Sequence, residues 1–256
     1  LEKLSILIVK LNMICLKKTI EMTIEHKFIE AVFIERPNRF LTRVKLGNDI
    51  VDSHLPDPGR LKELLIPGAR LLLKKENGKN RKTQFSTQAV YSGKTLISLN
   101  TLVPNRFVSY LLKTKGLEFL QEWEFQQQEV SYGKSRFDFQ LTRNDTPMVL
   151  EVKSVTLVEK GIAKFPDAVT ERGRRHVQHL GELATEGLDV MVLFVVQRPD
   201  VTCFQPQWER DPKFSRALFE AWQKGLLIRV IKMGMTLDSL NYLGEIPYQL
   251  NSGSKY

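Results

Sequence analysis

Read for alternation of apolar and polar positions, the chain falls into two rhythms. From about residue 27 to residue 100 it carries short runs of period two, the spacing of a half-buried strand. Candidate strands cover about 27–35, 39–47, 49–54, 69–75, 84–91 and 95–100. Turn signals at Pro37-Asn38, Gly47-Asn48 and Asn77-Gly78 separate them. Between the third and fourth, Asp57-Pro58-Gly59 followed by Arg60 to Leu65 has the form of an N-cap, a first-turn proline and a short helix ended by Pro67-Gly68. After Leu102 longer helical patterns alternate with strands. Helices are expected over about 104–115, 168–186 and 211–224, and strands over about 124–132, 135–143, 148–157, 188–196 and 226–232. The first rhythm predicts a small OB-like β-barrel, the second an α/β or α+β unit with a sheet flanked by helices.

Length agrees with this division. At roughly 150 residues per domain, 256 residues suit one large or two modest domains, placed here at 22–102 and 103–256. Residues 1–21 read as an extension. Its apolar stretch Leu4–Val9 suggests a signal peptide, but Lys10, Lys17 and Lys18 follow and there is no small-x-small cleavage site. Hydrophobic residues at 42% and charged residues at 26% exclude disordered and collagen-like classes. The longest apolar run, Val190–Val196, is far short of the about 20 residues of a spanning helix, so no membrane role is expected. Cys15 and Cys203 cannot build a disulfide framework or a four-thiolate zinc site, which points to a reducing, cytoplasmic setting.

Charge then changes the picture. The net charge is +9, a reason to expect a polyanionic partner. Residues 22–102 hold 14 basic and 8 acidic residues, whereas residues 103–256 hold 20 and 19. The barrel therefore carries most of the excess. Basic and aromatic side chains interleave there: Arg36, Arg39, Phe40, Arg43 and Lys45, then Lys74, Lys75, Lys79, Arg81, Lys82 and Phe85. Such a surface suits a groove that follows phosphates and stacks bases; solvated Lys-rich strand edges have the same composition. The Lys79–Lys82 segment, three cations beside a glycine turn, has the character of a phosphate-contacting loop.

The candidate chemistry lies in Arg136-Phe-Asp-Phe-Gln-Leu141 and Met148-Val-Leu-Glu-Val-Lys-Ser-Val155. Glu151 and Lys153 share one strand face, bracketed by Val149 and Val155, and Asp138 stands between Phe137 and Phe139. Antiparallel pairing across Asn144-Asp145 would bring Asp138 beside Glu151. Buried charges need compensation. Two carboxylates and an ammonium suit a hydrated Mg²⁺ that takes a phosphate oxygen and activates water, with Lys153 orienting the water or stabilising the transition state. A structural ion pair on a half-exposed sheet face uses the same residues, and the spacing leaves both readings open. On the following helix, Val169, Val177, Leu180 and Ala184 form a candidate core stripe, leaving Arg172, Arg175, His176 and His179 exposed or facing phosphate. His176 and His179 have i, i+3 spacing but no acidic third ligand for zinc.

These strands, together with Phe165-Pro-Asp-Ala-Val-Thr-Glu-Arg-Gly173, His54-Leu-Pro-Asp-Pro-Gly-Arg60 and Asn100-Thr-Leu-Val-Pro-Asn105, resemble the sugar fermentation stimulation protein family from about residue 27 to 230. The resemblance implies a sequence-non-specific DNA-binding protein linked to regulation of sugar (maltose) catabolism. It also implies an OB-like domain joined to a restriction-endonuclease-like mixed sheet. In that nuclease superfamily the Asp…Glu-x-Lys signature falls on Asp138, Glu151 and Lys153, with Phe137 where a proline is usual. A helix Gln or Arg often assists, which nominates Gln178 or Arg175, and Glu118 is the nearest candidate for a further carboxylate. Two functions follow: a Mg²⁺-dependent phosphodiesterase acting on DNA or RNA, with DNA expected before RNA as the partner, or a regulatory DNA-binding protein with a dormant nuclease fold. Nucleic-acid contacts are expected from Arg36, Arg39, Arg43, Lys79, Arg81, Lys82, Arg172 and Arg175. A helix-turn-helix is disfavoured because the helix ending at Gly187 leads into a strand, and a homodimer is left open.

Overall fold

A computed structural model describes residues 20–78 and 81–251. The first described strand, β1 (Glu21–Thr23), pairs antiparallel with β16 (Ser239–Glu245). Residues 22 and 23, assigned above to the barrel, thus lie on the edge of the second sheet. Most of the extension, residues 1–19, lies outside the described residues.

Five strands close the barrel: β2 (Ile29–Asn38), β3 (Leu41–Leu46), β4 (Asp49–His54), β5 (Arg70–Lys75) and β6 (Phe85–Ser92). They run in the order β4-β3-β2-β5-β6, and parallel pairs Ser53–Phe85 and His54–Ser86 join the ends. Closure removes the exposed edges. Alternate residues supply the interior, among them Ala31, Phe33, Val44, Leu71, Leu73 and Val90. The helix expected over Arg60–Leu65 does not form. Leu61 adopts a positive φ of 49°, and Asp57 Oδ1 accepts from the Gly59 N–H at 2.7 Å to make a tight turn. Six residues between prolines cannot repay helix nucleation; Leu61, Leu64 and Leu65 join the barrel core instead.

From the barrel, β7 (Thr95–Ser98) continues beside β6 and meets β15 (Leu227–Met235) at the single pair Leu96–Met235. The second sheet has the order β15-β13-β10-β9-β8, with β8 (Glu124–Tyr132), β9 (Ser135–Arg143), β10 (Thr146–Val155) and β13 (Asp189–Val196). Strands β10, β13 and β15 are parallel, while β8 and β9 are antiparallel. The unbroken apolar run of β13 fits a strand covered on both faces. One face packs under α1 (Val103–Lys113) through Phe107, Val108 and Leu111. The other packs under α2 (Glu171–Thr185) and α3 (Pro212–Gln223) through Val177, Leu180, Phe214 and Leu218. A separate three-stranded sheet holds β11 (Val158–Glu159), β12 (Ile162–Phe165) and β14 (Cys203–Pro206). No helix among the described residues is long and apolar enough to cross a membrane.

Two local departures shape the site. Helix α2 begins three residues later than its pattern suggests, because Thr170 Oγ1 caps the Gly173 N–H at 3.1 Å. Val169, expected in the core stripe, consequently precedes the helix and is 68% exposed. The β9–β10 ladder starts at the Asn144-Asp145 turn, where both residues have positive φ, and runs from Arg143–Thr146 to Phe139–Leu150. There it stops, while β10 stays paired with β13 as far as Val155–Val196. The two strands fork beyond these pairs, where Asn105 of α1 reaches Asp138 and His176 of α2 reaches Glu151.

Candidate metal and nucleic-acid site

Glu151 is the first β10 residue beyond the end of the β9 ladder, and Asp138 is its counterpart on β9. The Val152 N–H, which a continuing ladder would have paired, donates to Asp138 Oδ2 at 2.7 Å. Asn105 of α1 donates its side-chain amide to Asp138 Oδ1 at 2.6 Å. The fork therefore explains why an aspartate occupies this point: its carboxylate replaces a missing strand. The side-by-side placement expected from the hairpin is what forms.

Glu151 is 4% exposed. Its Oε1 accepts from the Lys153 ammonium and lies 2.7 Å from His176 Nδ1. Its Oε2 is buried and has no hydrogen-bond partner among the described residues. Burial pushes the Glu151 carboxyl up, but Lys153, then His176, outweigh it and hold the group below the usual carboxylate range. Asp138 moves the other way, to about 6, through burial and then repulsion from Glu151. One carboxylate keeps its charge and the other gives it up readily.

A hard divalent cation fits this arrangement. An orphaned carboxylate oxygen in a dry site is costly unless a cation meets it, and the adjacent Asp138 would lose its repulsion in the same event. No group of three or more His, Cys, Asp or Glu among the described residues could hold a metal. Two oxygen-bearing side chains suit a cation that keeps much of its water shell, as Mg²⁺ does. His176 faces Glu151 through Nδ1 and so fixes the orientation of that carboxylate.

Both domains wall the cavity above these groups, whose volume is about 490 Å³. Arg39, Asp57, Pro58 and Gly59 line it from the barrel, and Asn105, Asp138, Glu151, Lys153, Asp167, Val169 and Arg172 from the second domain. A buried polar clamp joins the walls. Asp167 accepts from the Leu61 N–H at 2.9 Å through Oδ2 and from Arg210 at 3.0 Å through Oδ1. Burial, with Asp167 nearby, pushes Asp57 up to about 6.

That shift has a measurable sign. Between the usual 3.8 and about 6, Asp57 binds a proton in the folded chain that the unfolded chain releases. Its contribution is full below the lower value and is lost as pH rises through the upper one. Relative to the Asp57→Asn variant, the parent should lose roughly 2 kcal/mol between pH 4 and pH 7. Urea melts of both proteins across that range test this; a constant difference would refute it.

The remaining expected site residues divide by location. Arg39 and Arg172 line the cavity. Arg36 is spent on the carbonyls of Arg39, Asp57, Gly59 and Arg60, so it shapes the loop from within. Arg43 pairs with Glu35 and Asp52. Arg81 and Lys82 are exposed before β6 and away from the cavity wall, and Lys79 lies outside the described residues. Gln178 and Arg175 are exposed on α2 and do not line the cavity; the α2 side chain that reaches Glu151 is His176, expected at the surface but buried. His179 reaches Ser135 Oγ at 2.7 Å instead. Glu118 is exposed in a 3-10 turn, and α1 contributes Asn105 in its place. Asn105 and Asp167 carried no signal of their own beyond the segments that bear the family resemblance; Asp57 was legible only as an N-cap and His176 only as an exposed or phosphate-facing side chain.

Comparison with known proteins gives a consistent set of relatives. The model of the family described as "Sugar fermentation stimulation protein RE domain" matches residues 102–239, and "SfsA N-terminal OB domain" matches residues 34–99. A sugar fermentation stimulation protein homolog from Natranaerobius thermophilus is 40% identical over 223 residues, covering 86% of this chain and 93% of that one. One from Clostridium botulinum is 42% identical over 206 residues, covering 80% and 90%. A solved structure of Pyrococcus furiosus SfsA in complex with Ca²⁺ has a TM-score of 0.82 at 26% identity, covering 89% of this chain and 98% of that one.

Proposed function

This chain belongs to the sugar fermentation stimulation protein family, and on that premise we propose that it binds DNA without sequence preference and cuts phosphodiester bonds with a divalent cation held by Asp138 and Glu151. The observation that carries this reading is the buried Glu151 Oε2, without a hydrogen-bond partner among the described residues, in a cavity that Asp138, Arg39 and Arg172 also line. Mg²⁺ is the proposed ion; the Ca²⁺ complex of the Pyrococcus furiosus relative supports a hard divalent cation. When bound, such an ion supplies Lewis acidity and an acidified water. The protein's own groups do the rest. Asn105 and the Val152 N–H aim the Asp138 carboxylate, and His176 aims that of Glu151. Lys153 offers an ammonium where negative charge develops on the phosphorane. The basic barrel holds the strand by neutralising phosphates, so affinity should fall steeply with salt. The family's link to sugar (maltose) catabolism would then run through DNA.

Calorimetric titration with Mg²⁺ or Ca²⁺ should give one site per chain. Asp138→Asn should weaken it at least 10-fold while leaving melting temperature within a few degrees, since an amide can keep one of the two hydrogen bonds. Equal cation affinity in parent and variant would refute the ligand assignment. A second reading, a DNA-binding regulator without turnover, draws on the small protein ligand set. It predicts the same cation and salt dependence with no cleavage of linear, circular or single-stranded DNA.

A further inference from the structure

The cavity has a chemistry at its rim that phosphate binding does not use. Phe40 sits at the tip of the β2–β3 hairpin and is 49% exposed. Arg39 beside it lines the cavity, and its guanidinium lies 6.0 Å over the Phe40 ring centroid. The hairpin tip is held rigidly: Phe40 N–H donates to Asn38 Oδ1 at 2.9 Å, Phe40 C=O accepts from the Leu55 N–H at 2.9 Å, and Arg39 C=O accepts from Arg36 at 2.7 Å. Val169, which lines the same cavity as Arg39 and Arg172, is 68% exposed. Neither Arg39 nor Arg172 has an ion-pair partner among the described residues. Single exposed apolar side chains are ordinary. An exposed aromatic beside the cavity-lining Arg39, and an exposed valine on the wall of the same cavity, are a recognition pattern for a ligand with flat apolar faces and negative charge.

A nucleotide is such a ligand, and the depth of the site says in which form. Glu151 is 4% exposed, so a phosphate must enter the cavity to reach it. A volume of about 490 Å³ has the scale of a small-molecule pocket, and a base that stacks on a side chain beside it must be unpaired, as the bases of a single strand are. We infer that the site takes single-stranded nucleic acid, with one unpaired base stacked on Phe40 between the Arg39 guanidinium and the cavity mouth while the adjoining phosphate descends toward Asp138 and Glu151. Stacking on a rigid aromatic is tolerant of sequence, because every base has a π-face.

This inference rests on the proposed function for its location, so its test is made without metal or turnover. Binding of a fluorescent 20-nucleotide single strand and of the same sequence as a duplex is measured by anisotropy in EDTA. Phe40→Ala should weaken single-strand binding about 10-fold and leave duplex binding within two-fold, with Phe40→Trp restoring the parent affinity and Phe40→Leu not restoring it. Equal losses on both substrates, no loss on either, or rescue by Leu as good as by Trp would each overturn the inference. None of these readings depends on whether Glu151 holds a cation. A failure of the cleavage reading alone would therefore leave these affinities as expected.

Discussion

The Glu151→Gln variant is expected to lose Mg²⁺-dependent cleavage by at least 100-fold, the scale of removing a single electrostatic contributor to a transition state. Glu151 does two things with two oxygens. Oε2 has no hydrogen-bond partner among the described residues, and Oε1 neutralises Lys153 and lies 2.7 Å from His176 Nδ1. An amide of equal size offers a poor cation ligand and leaves the buried Lys153 ammonium without its counter-charge, so cation affinity should fall with activity. Stability should fall too, by about 3 kcal/mol, because breaking one side of a buried pair strands the other charge. Lys153→Met separates the roles. It removes the cation that competes for Glu151, so Mg²⁺ should bind as tightly as in the parent or more so, while turnover is still lost. Calorimetry and single-turnover assays on the two variants check this. A Glu151→Gln protein as active as the parent would sink the site assignment, and a Lys153→Met protein at full rate would remove lysine from the chemistry.

Asp167→Ala should have the next largest effect, a loss of about 3 kcal/mol in urea unfolding. One carboxylate holds two domains: its oxygens take the Leu61 N–H and Arg210. Leu61 is fully buried at positive φ, so its N–H cannot turn to water, and a buried donor left unpaired costs about 1–3 kcal/mol. Arg210 adds a further cost as a half-buried cation without a partner. Part of this returns through Asp57, whose carboxyl no longer faces a second negative charge and should titrate closer to the usual range. Asp167→Asn, which keeps one acceptor, should lose about half as much. If Asp167→Ala melts with the parent, the clamp is not what couples barrel and sheet.

How much of this was legible in the chain depends on sequence separation. Asp138, Glu151 and Lys153 could be placed because strand alternation and a short hairpin are local and have period two. The barrel strands were legible for the same reason. His176 was not, since its burial follows from where α2 begins, and that depends on which residue caps it. Asp167 is chemically a fine N-cap, yet the barrel loop claims its carboxylate from 106 residues away, and Thr170 caps instead. The absent helix at Arg60–Leu65 is the other side of the same contact. Arg36 looked like a phosphate ligand because nothing in its neighbourhood reveals that it collects four carbonyls. Strand β1 pairs with residues some 220 positions later, a partner no local pattern can announce.

The Asn144-Asp145 turn offers a practical handle. Its residues are exposed and already accept a left-handed backbone, and it sits at the closed end of the fork, six residues before Glu151, about 20 Å along the strand. Chain additions are best tolerated at such tips. A fluorophore or a surface tether attached there would report on a protein whose open end remains free to work, and single molecules could be immobilised by it without obstructing the path of a strand.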